Sequence, residues 1–185
     1  MKKLAKIGIA LLAIINFSAC TQDDEFTFTA KEDPHGIMFS NAATGAYTLT
    51  ASNGNNLAER FVWNEVDMGV QTPVTYELQG SSSESFSYMS VLAEGTATNA
   101  AVTVNQMLDL AEEAGLDNDP ETEAPNTGTL YFRVRAYAGS DAANSVEQFS
   151  DVMSINVMLP EDDGGAEAPK MNLYLVGDAT AFKLE

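Results

Sequence analysis

This 185-residue sequence contains only one cysteine and only one histidine. With one cysteine the chain cannot form an internal disulfide, so its fold has to be held together by a hydrophobic core. The histidine, His35, lies in the turn-forming stretch EDPHG and has no nearby histidine or cysteine to complete a metal site. We therefore expect His35 to be solvated, and we expect no metal.

The sequence also lacks the residue sets on which common enzyme mechanisms depend. A Ser–His–Asp triad fails because the only histidine lies in a turn, and neither a P-loop nor a G-x-G-x-x-G dinucleotide fingerprint occurs. Acid pairs can be drawn among the 27 acidic residues, but none stands in a patterned apolar cleft that would make it a general acid. We expect no enzyme activity and no cofactor.

Positive charge is scarce as well. Beyond Cys20 the chain has 27 acidic and six basic residues, which gives this part a net charge of −21. Such a surface repels nucleic acid and anionic lipid head groups, so neither is an expected partner. The composition, 45% hydrophobic and 19% charged, is nevertheless that of a folded protein with one real core.

The longest apolar run, IGIALLAIINF, is too short to span a bilayer, which needs about 20 residues. Three lysines precede this run within the first six residues, and a serine and an alanine follow it. A basic, an apolar and a small-residue region in this order are typical of a secretory signal. We assign residues 1–19 to such a signal peptide and exclude them from the fold.

The signal ends in FSAC, which resembles the bacterial lipobox, and this resemblance implies that Cys20 is diacylated and becomes the N-terminus of a lipoprotein. The alternative is an ordinary signal with an incidental cysteine. The acids Asp23, Asp24 and Glu25 follow, and CTQDDE resembles the surface-export signal of Sus-type lipoproteins. The resemblance implies a lipid-anchored protein on the outer face of the outer membrane; the acids could also simply solvate a tether over residues 20–36.

Short segments of alternating polarity fill residues 37–160 and predict an antiparallel β-sandwich. In VTYELQ the inward residues would be Val74, Tyr76 and Leu78, and the outward ones Thr75, Glu77 and Gln79. Phe61 and Trp63 also share an inward face. The clearest strands are TLYFRVRAYA and DVMSINVML, with inward sets Leu130, Phe132, Val134 and Ala136, and Met153, Ile155, Val157 and Leu159.

One segment, NQMLDLAEEAGL, has helical rather than strand periodicity. Its pattern predicts a short helix over 105–115, with Asn105 as N-cap and Gly115 as the stop. The helix would lie in a crossover between two strands and close one end of the sandwich.

The order of these elements resembles an immunoglobulin-like domain of the fibronectin type III kind. The stretches FVWNEVDMGVQTPVTYELQ, AVTVNQMLDLAEEAGL, LYFRVRAYAG and FSDVMSINV together resemble the N-terminal domain of SusE-like outer-membrane lipoproteins of starch-utilisation systems. Residues 161–170 then read as an acidic Gly/Pro linker. Residues 171–185 look like the start of that family's next, glycan-binding domain, and one strand cannot bury a core, so we expect a truncated chain or a member that lost its later domains.

Two groups of side chains are candidate ligand sites. Tyr131, Arg133, Arg135 and Tyr137 lie outward on one strand and could form an aromatic and polar platform for sugar. The favoured alternative is a face stabilised by cross-strand Tyr and Arg contacts or covered by a partner, since in SusE-like proteins glycan binding belongs to later domains.

The acidic loop GLDNDPETEAPNTG is the second group. Its acids Asp117, Asp119, Glu121 and Glu123 alternate as calcium ligands do in an EF-hand, but Gly128 stands where the bidentate Glu should be. A solvated loop is the favoured interpretation.

The resulting hypothesis is a surface lipoprotein that contributes to starch or other glycan binding in a Sus-type uptake system, beside its transporter and the binding lipoprotein of that transporter. Residues 37–160 would act as a spacer or docking module, with glycan contact in absent downstream domains. Two alternatives stay open: an adhesion or assembly module that binds protein through the Tyr131–Tyr137 face without touching sugar, and an accessory domain of a downstream enzyme.

Overall fold

The computed structural model describes residues 29–41, 43, 45–139 and 146–161. The signal peptide, Cys20, the acids 23–25 and residues from 162 onward therefore lie outside the described residues. The elements are β1 (Ala46–Thr48), a short 3-10 turn (Ala51–Asn53), β2 (Leu57–Val62), β3 (Val74–Ser81), β4 (Ser90–Gly95), β5 (Asn99–Thr103), α1 (Val104–Glu113), β6 (Thr127–Ala138), β7 (Glu147–Phe149) and β8 (Met153–Met158). In the part of the chain that the structure describes, no helix is long and apolar enough to cross a membrane.

The strands form two sheets. The larger sheet has the order β1-β8-β6-β3-β4, with β7 also paired to β6, and the smaller sheet consists of β2 and β5. Neighbouring strands are antiparallel except for β1 and β8, which are parallel. The predicted all-β sandwich with one short helix is confirmed.

The core lies between the inner faces of the two sheets. Phe61 of β2 meets Phe132 of β6 with ring centroids 4.7 Å apart, and Trp63 packs on Tyr76 at 5.9 Å. The predicted inward residues of β6 are all completely buried: Leu130, Phe132, Val134 and Ala136. The inward residues predicted for β8 also face this core, where Ile155, Val157 and Leu159 are buried and Met153 packs against them.

The outer face of β3 points away from the core as predicted, but it is not exposed to solvent. Thr75, Glu77 and Gln79 do point away from the core, but they are only 8%, 8% and 1% exposed rather than solvated. Their cover comes from their neighbours: Phe86, in the loop that joins β3 to β4, is itself buried, and two long side chains of β6, Arg133 and Arg135, bond to Gln79 and Glu77. Alternation therefore identified the two faces correctly but not their exposure.

The predicted helix exists, but it begins earlier than expected. Thr103 rather than Asn105 is the N-cap, and it forms a capping box with Gln106, in which each side chain bonds to the backbone of the other residue. The helix ends as predicted before Gly115, whose φ of +76° is the left-handed conformation that glycine adopts without steric cost. Its buried residues are Val104, Met107, Leu110 and Ala111.

Glycine also sets how closely α1 approaches the large sheet. A Cβ on Gly80 of β3 would lie 2.6 Å from Leu110 Cδ1 and 2.8 Å from Leu92 Cδ1, well inside van der Waals contact. The missing side chain at Gly80 lets Leu110 seat against the sheet. Because α1 also contacts β2, β5 and β6, the helix packs against both sheets.

The N-terminal segment runs antiparallel beside the chain that leaves β2. Lys31 N donates to the Met68 carbonyl (3.1 Å) and Ser40 N donates to the Val62 carbonyl (2.8 Å). Asn41 continues this pairing through its side chain, which bonds the Arg60 carbonyl and Val62 N. The predicted boundary between tether and domain, at residue 37, falls within this hydrogen-bonded segment.

Candidate functional site

The four candidate ligand residues lie on the outer face of β6, in the middle of the large sheet. Residues of β3 flank them on one side, with Gln79 opposite Arg133 and Glu77 opposite Arg135. Strand β7 flanks them on the other side, with Phe149 opposite Arg135. The structure thus brings all four residues onto one surface, and each has a different environment.

Arg135 is held by two carboxylates. Its Nη1 lies 3.1 Å from Glu77 Oε1, while Nη2 and Nε donate to the two oxygens of Glu147 at 2.6 and 3.1 Å. Hydrogen bonds to Glu147 and Glu77 raise the pKa of Arg135, and the same bonds lower the pKa of Glu147. Each of the three guanidinium nitrogens bonds to a carboxylate within the protein, so none of them is left without an internal partner.

Tyr137 is buried although it lies on the outer face. It is 2% exposed, its hydroxyl donates to Glu94 Oε1 at 3.1 Å, and its ring lies 5.0 Å from Arg135 Cζ. Burial and the carboxylate of Glu94 raise the pKa of Tyr137 to about 12. Its ring therefore offers no open face on which a sugar could stack.

Arg133 is the exception among the charged residues of this face. Its Nε donates to Gln79 Oε1 (2.9 Å), and its Cζ lies 4.2 Å and 4.4 Å from the ring centroids of Phe86 and Phe149. None of the described carboxylates lies within salt-bridge distance of it. Burial and the neighbouring Arg135 lower its pKa, although an arginine stays charged at neutral pH.

Phe86 reaches Arg133 through an unfavourable backbone conformation. It is the one non-glycine residue with positive φ among the described residues, at +52°. A left-handed conformation costs about 1–2 kcal/mol for a residue with a Cβ. Burial of the ring and its contact with the guanidinium offset that cost and hold the β3–β4 loop over the sheet.

Tyr131 is the fourth candidate, and it is half-buried. It lies opposite Ser81 of β3 and Ser154 of β8. Within the described residues its side chain makes no hydrogen bond, in contrast to Tyr137. It is the aromatic candidate of this group that keeps accessible surface.

A polar cluster around Asp33 was not singled out from the sequence. The Asp33 carboxylate accepts hydrogen bonds from Asp67 N and His35 N, both at 2.8 Å, and from His35 Nδ1 at 3.0 Å. Its backbone exchanges two bonds with the Gln148 side chain of β7. The backbone donors lower the pKa of Asp33, so this carboxylate is an ionised structural clamp rather than a proton donor.

The Asp33 cluster borders a cleft of about 870 Å³, which Glu65, Asp67 and Tyr76 also line. A smaller cavity of about 90 Å³ lies beside it and is lined by Trp63. The indole Nε1 of Trp63 is buried without a hydrogen-bond partner, which is the one such side-chain atom among the described residues. Neither cleft contains a base and a nucleophile within hydrogen-bond distance.

The acidic loop after α1 bonds to itself. Asp117 Oδ1 accepts from Asp119 N (3.0 Å), Asp119 Oδ1 accepts from Glu121 N (2.9 Å), and Thr122 Oγ1 donates to Asp117 Oδ2 (3.1 Å). These bonds lower the pKa of Asp117. Within the residues that the structure describes, no group of three or more acids, histidines or cysteines is arranged to hold a metal ion.

A family model described as SusE outer membrane protein matches residues 22–135, more than half of the chain. The chain belongs to the SusE family. The predicted family resemblance and the predicted outer-membrane localisation are thereby confirmed. No curated protein and no solved structure matches the chain.

The SusE match begins at Gln22, directly before the acidic stretch, and ends at Arg135 on β6. It therefore includes Asp23, Asp24 and Glu25 together with Arg133, while Cys20 and Tyr137 lie just outside it. For this SusE protein, acylation of Cys20 and export by the acidic stretch stay predictions.

Proposed function

We propose that this SusE-family protein is a lipoprotein held at the outer membrane by Cys20, with its β-sandwich facing outward. In this role it contributes to starch or other glycan capture in a Sus-type uptake system. The observation that supports the proposal is the SusE match over residues 22–135, which joins the acidic stretch to the sandwich. The charge of the chain beyond Cys20, with 27 acids and six bases, is consistent with a partner that is neither nucleic acid nor an anionic lipid surface.

The described sandwich would serve as a spacer and docking module. Arg135 and Tyr137, which would have to meet a sugar on this face, are instead bound to Glu77, Glu147 and Glu94. Glycan contact would then belong to domains that follow the acidic linker. The module would dock near the transporter of the system and its binding lipoprotein, and no catalytic step is part of this role.

The test of the anchor is an intact mass of the protein from bacterial membranes, combined with protease shaving of whole cells. The expected mass is that of a chain cleaved before Cys20 and carrying acyl chains, and the protein should disappear on shaving. Cys20→Ser is the control and should release unacylated protein. An unacylated native protein, or full protection from the protease, would contradict the proposal.

The acidic stretch can be tested separately from the anchor. The triple variant Asp23→Asn, Asp24→Asn, Glu25→Gln should keep its acyl chains but become protected from the protease. A variant that is still shaved would mean that these acids only solvate the tether.

The spacer role makes its own prediction about sugar. The full chain should not bind maltoheptaose in affinity gel electrophoresis or in a titration. Of the two tyrosines in the candidate platform only Tyr131 is accessible, and one ring offers little surface on which a sugar could stack. If the chain bound maltoheptaose and Tyr131→Ala abolished the binding, this face would be a glycan site after all.

A second candidate function is a protein-binding module that makes no sugar contact. It is favoured by exposed apolar side chains: Phe149, which contacts Arg133, is 42% exposed, and Tyr88, in the same loop as Phe86, is 79% exposed. Apolar side chains gathered on one face are typical of protein interaction sites rather than of a solvated spacer.

A further inference from the structure

The outer face of the large sheet has a cation at its centre whose outward donors are unused. Nε of Arg133 bonds to Gln79, but its two Nη atoms make no hydrogen bond within the described residues. They are also not completely buried, because the one fully buried unpartnered side-chain nitrogen or oxygen in the described body is Trp63 Nε1. The Nη edge of the guanidinium therefore faces outward with its donors free.

The position of this guanidinium is fixed before any ligand arrives. The rings of Phe86 and Phe149 pack on it, and Gln79 is itself held by its bond to Glu77 at 2.9 Å. Glu77 in turn binds Arg135, so the support continues into the ion pairs of this sheet face. A guanidinium held in this way loses little conformational entropy when it binds a partner.

Apolar side chains lie on the strands and in the loop beside Arg133. Phe149 contacts it directly, and Val91 of the edge strand β4, which is 47% exposed, lies opposite Gln79. Tyr88 and Met89 are exposed in the β3–β4 loop, and a hydrogen bond from Ser81 to the Tyr88 carbonyl places this loop at the end of β3. The result is a polar centre with an apolar rim, which we call the Arg133 face.

The chemistry that completes this face is a carboxylate flanked by apolar groups. Two free Nη donors match the two oxygens of a carboxylate in a bidentate pair. The apolar rim would gain by covering Phe149, Val91 and Tyr88 from water. We propose that the Arg133 face docks a protein segment that presents one acidic side chain between apolar side chains, which gives the docking module of the proposed function a binding surface.

Other occupants fit this face less well. A neutral glycan has no charge to offer the free guanidinium. A second copy of this chain, or a polyanion, would meet the repulsion of the net −21 that 27 acids and six bases give the chain beyond Cys20. The favoured partner is therefore a protein segment with one acidic side chain whose surroundings carry no net charge or a positive charge.

The chain contains three arginines, Arg60, Arg133 and Arg135, which makes the test direct. Full-length protein purified in a non-ionic detergent and labelled with ¹⁵N-arginine should give three Nε signals, assigned with Arg→Lys variants. The probe is the peptide acetyl-Leu-Glu-Phe-amide, with acetyl-Leu-Gln-Phe-amide as its neutral match. We expect the Glu peptide to shift the Arg133 signal with a dissociation constant of about 1 mM, and the Gln peptide to bind about tenfold more weakly.

Variants separate the charge from the apolar rim. Arg133→Lys keeps the charge but cannot form the bidentate pair, so it should weaken the Glu peptide about tenfold, and Phe149→Ala should weaken it several-fold. Arg60→Lys, on the other sheet, should leave the titration unchanged.

Four results would overturn the proposal. In the first two, the Arg133 signal does not shift at about 10 mM Glu peptide, or the Glu and Gln peptides shift it equally. In the third, glucuronate or inorganic phosphate binds as tightly as the Glu peptide or more tightly. In the fourth, the Arg133 signal shifts with protein concentration in the absence of peptide, which would indicate that a second copy of the chain binds there. The mass and shaving results do not depend on any of these, so failure of the docking proposal and failure of the anchored-lipoprotein proposal are distinguishable.

Discussion

The two faces of β6 differ in what holds them together. On the inner face Leu130, Phe132, Val134 and Ala136 are completely buried in the hydrophobic core, so their stabilisation comes from area removed from water. On the outer face Arg135 and Tyr137 are just as firmly placed, but by carboxylates that they share with β3, β4 and β7. One strand thus belongs to an apolar core on one side and to an ionic network on the other.

This difference also explains which side is suited to binding. A core residue has its partners fixed by close packing and cannot exchange them. The outer network is complete around Arg135 and Tyr137 but ends at Arg133, where donors remain. The binding capacity of the strand is therefore concentrated at the end of a network rather than spread along a row of exposed tyrosines.

The largest expected effect compares adjacent residues on the two faces. Phe132→Ala should lower the free energy of unfolding by about 3–5 kcal/mol, because it leaves a cavity against Phe61. Tyr131→Ala should lower it by about 1 kcal/mol or less, because this side chain is half-buried and loses only cross-strand contact. Urea unfolding monitored by circular dichroism measures both, and similar losses would mean that the outer face is packed like the core.

The next effect tests the ionic network. Glu77→Gln removes the carboxylate charge to which both Arg135 and Gln79 donate hydrogen bonds. The free energy of unfolding should therefore fall by about 1–3 kcal/mol at neutral pH. Glu84→Ala is the matched control, because Glu84 is exposed and makes no ion pair among the described residues, and it should change stability by about 0.5 kcal/mol or less. A harmless Glu77→Gln would show that the outer face is held by its aromatic cover alone.

Acid should reveal the clamp that joins the N-terminal segment to β7. The pKa of Asp33 is lowered in the folded protein, so its stabilising contribution is present above its unfolded value near 3.8 and is lost as the pH falls through the folded value. Asp33→Asn should therefore lower the urea midpoint at pH 7, and the gap to the native protein should close on acidification. A gap that persists at low pH would mean that the carboxylate charge does not matter.

The smallest effect is an alkaline one. Because the pKa of Tyr137 is raised to about 12, its contribution is complete below the unfolded value near 10 and is lost as the pH rises from about 10 to 12. Tyr137→Phe should cost about 0.5–1 kcal/mol at pH 7 and make the stability curve less steep above pH 10. Tyrosinate absorbance during the titration checks the assignment, because the variant should show one fewer late-titrating tyrosine than the native protein.

Local pattern was enough to predict the inner faces and the helix. Alternation in TLYFRVRAYA follows directly from the pleat of a strand, and Gly115 was recognisable as a helix stop. The N-cap was missed although the spacing was readable, because Thr103-x-x-Gln106 is itself a capping-box sequence and Asn105 is an equally common cap residue.

The outer face could not be predicted because its cover comes from distant chain. Whether Glu77 is solvated depends on where Phe86 and Glu147 are placed, and neither position follows from the period of β3. The Asp33–Gln148 pair joins residues 115 positions apart. The stretch EDPHG therefore indicated a turn but gave no sign of the bond to Gln148. The Arg133 face exists for the same reason, since the rings that hold the guanidinium come from two separate segments.

The parallel pairing of β1 and β8 gives the sandwich a mechanical property. Once the N-terminal segment has detached from the chain that leaves β2, a chain tethered at its N-terminus and pulled from beyond residue 161 would draw these two strands along their length in opposite directions. Their register pairs, from Ala46–Asn156 to Thr48–Met158, would then be loaded in shear and have to break together. We expect single-molecule stretching between the two ends to need more force than stretching between two loops. A module built this way would resist unfolding when force is applied between its two ends.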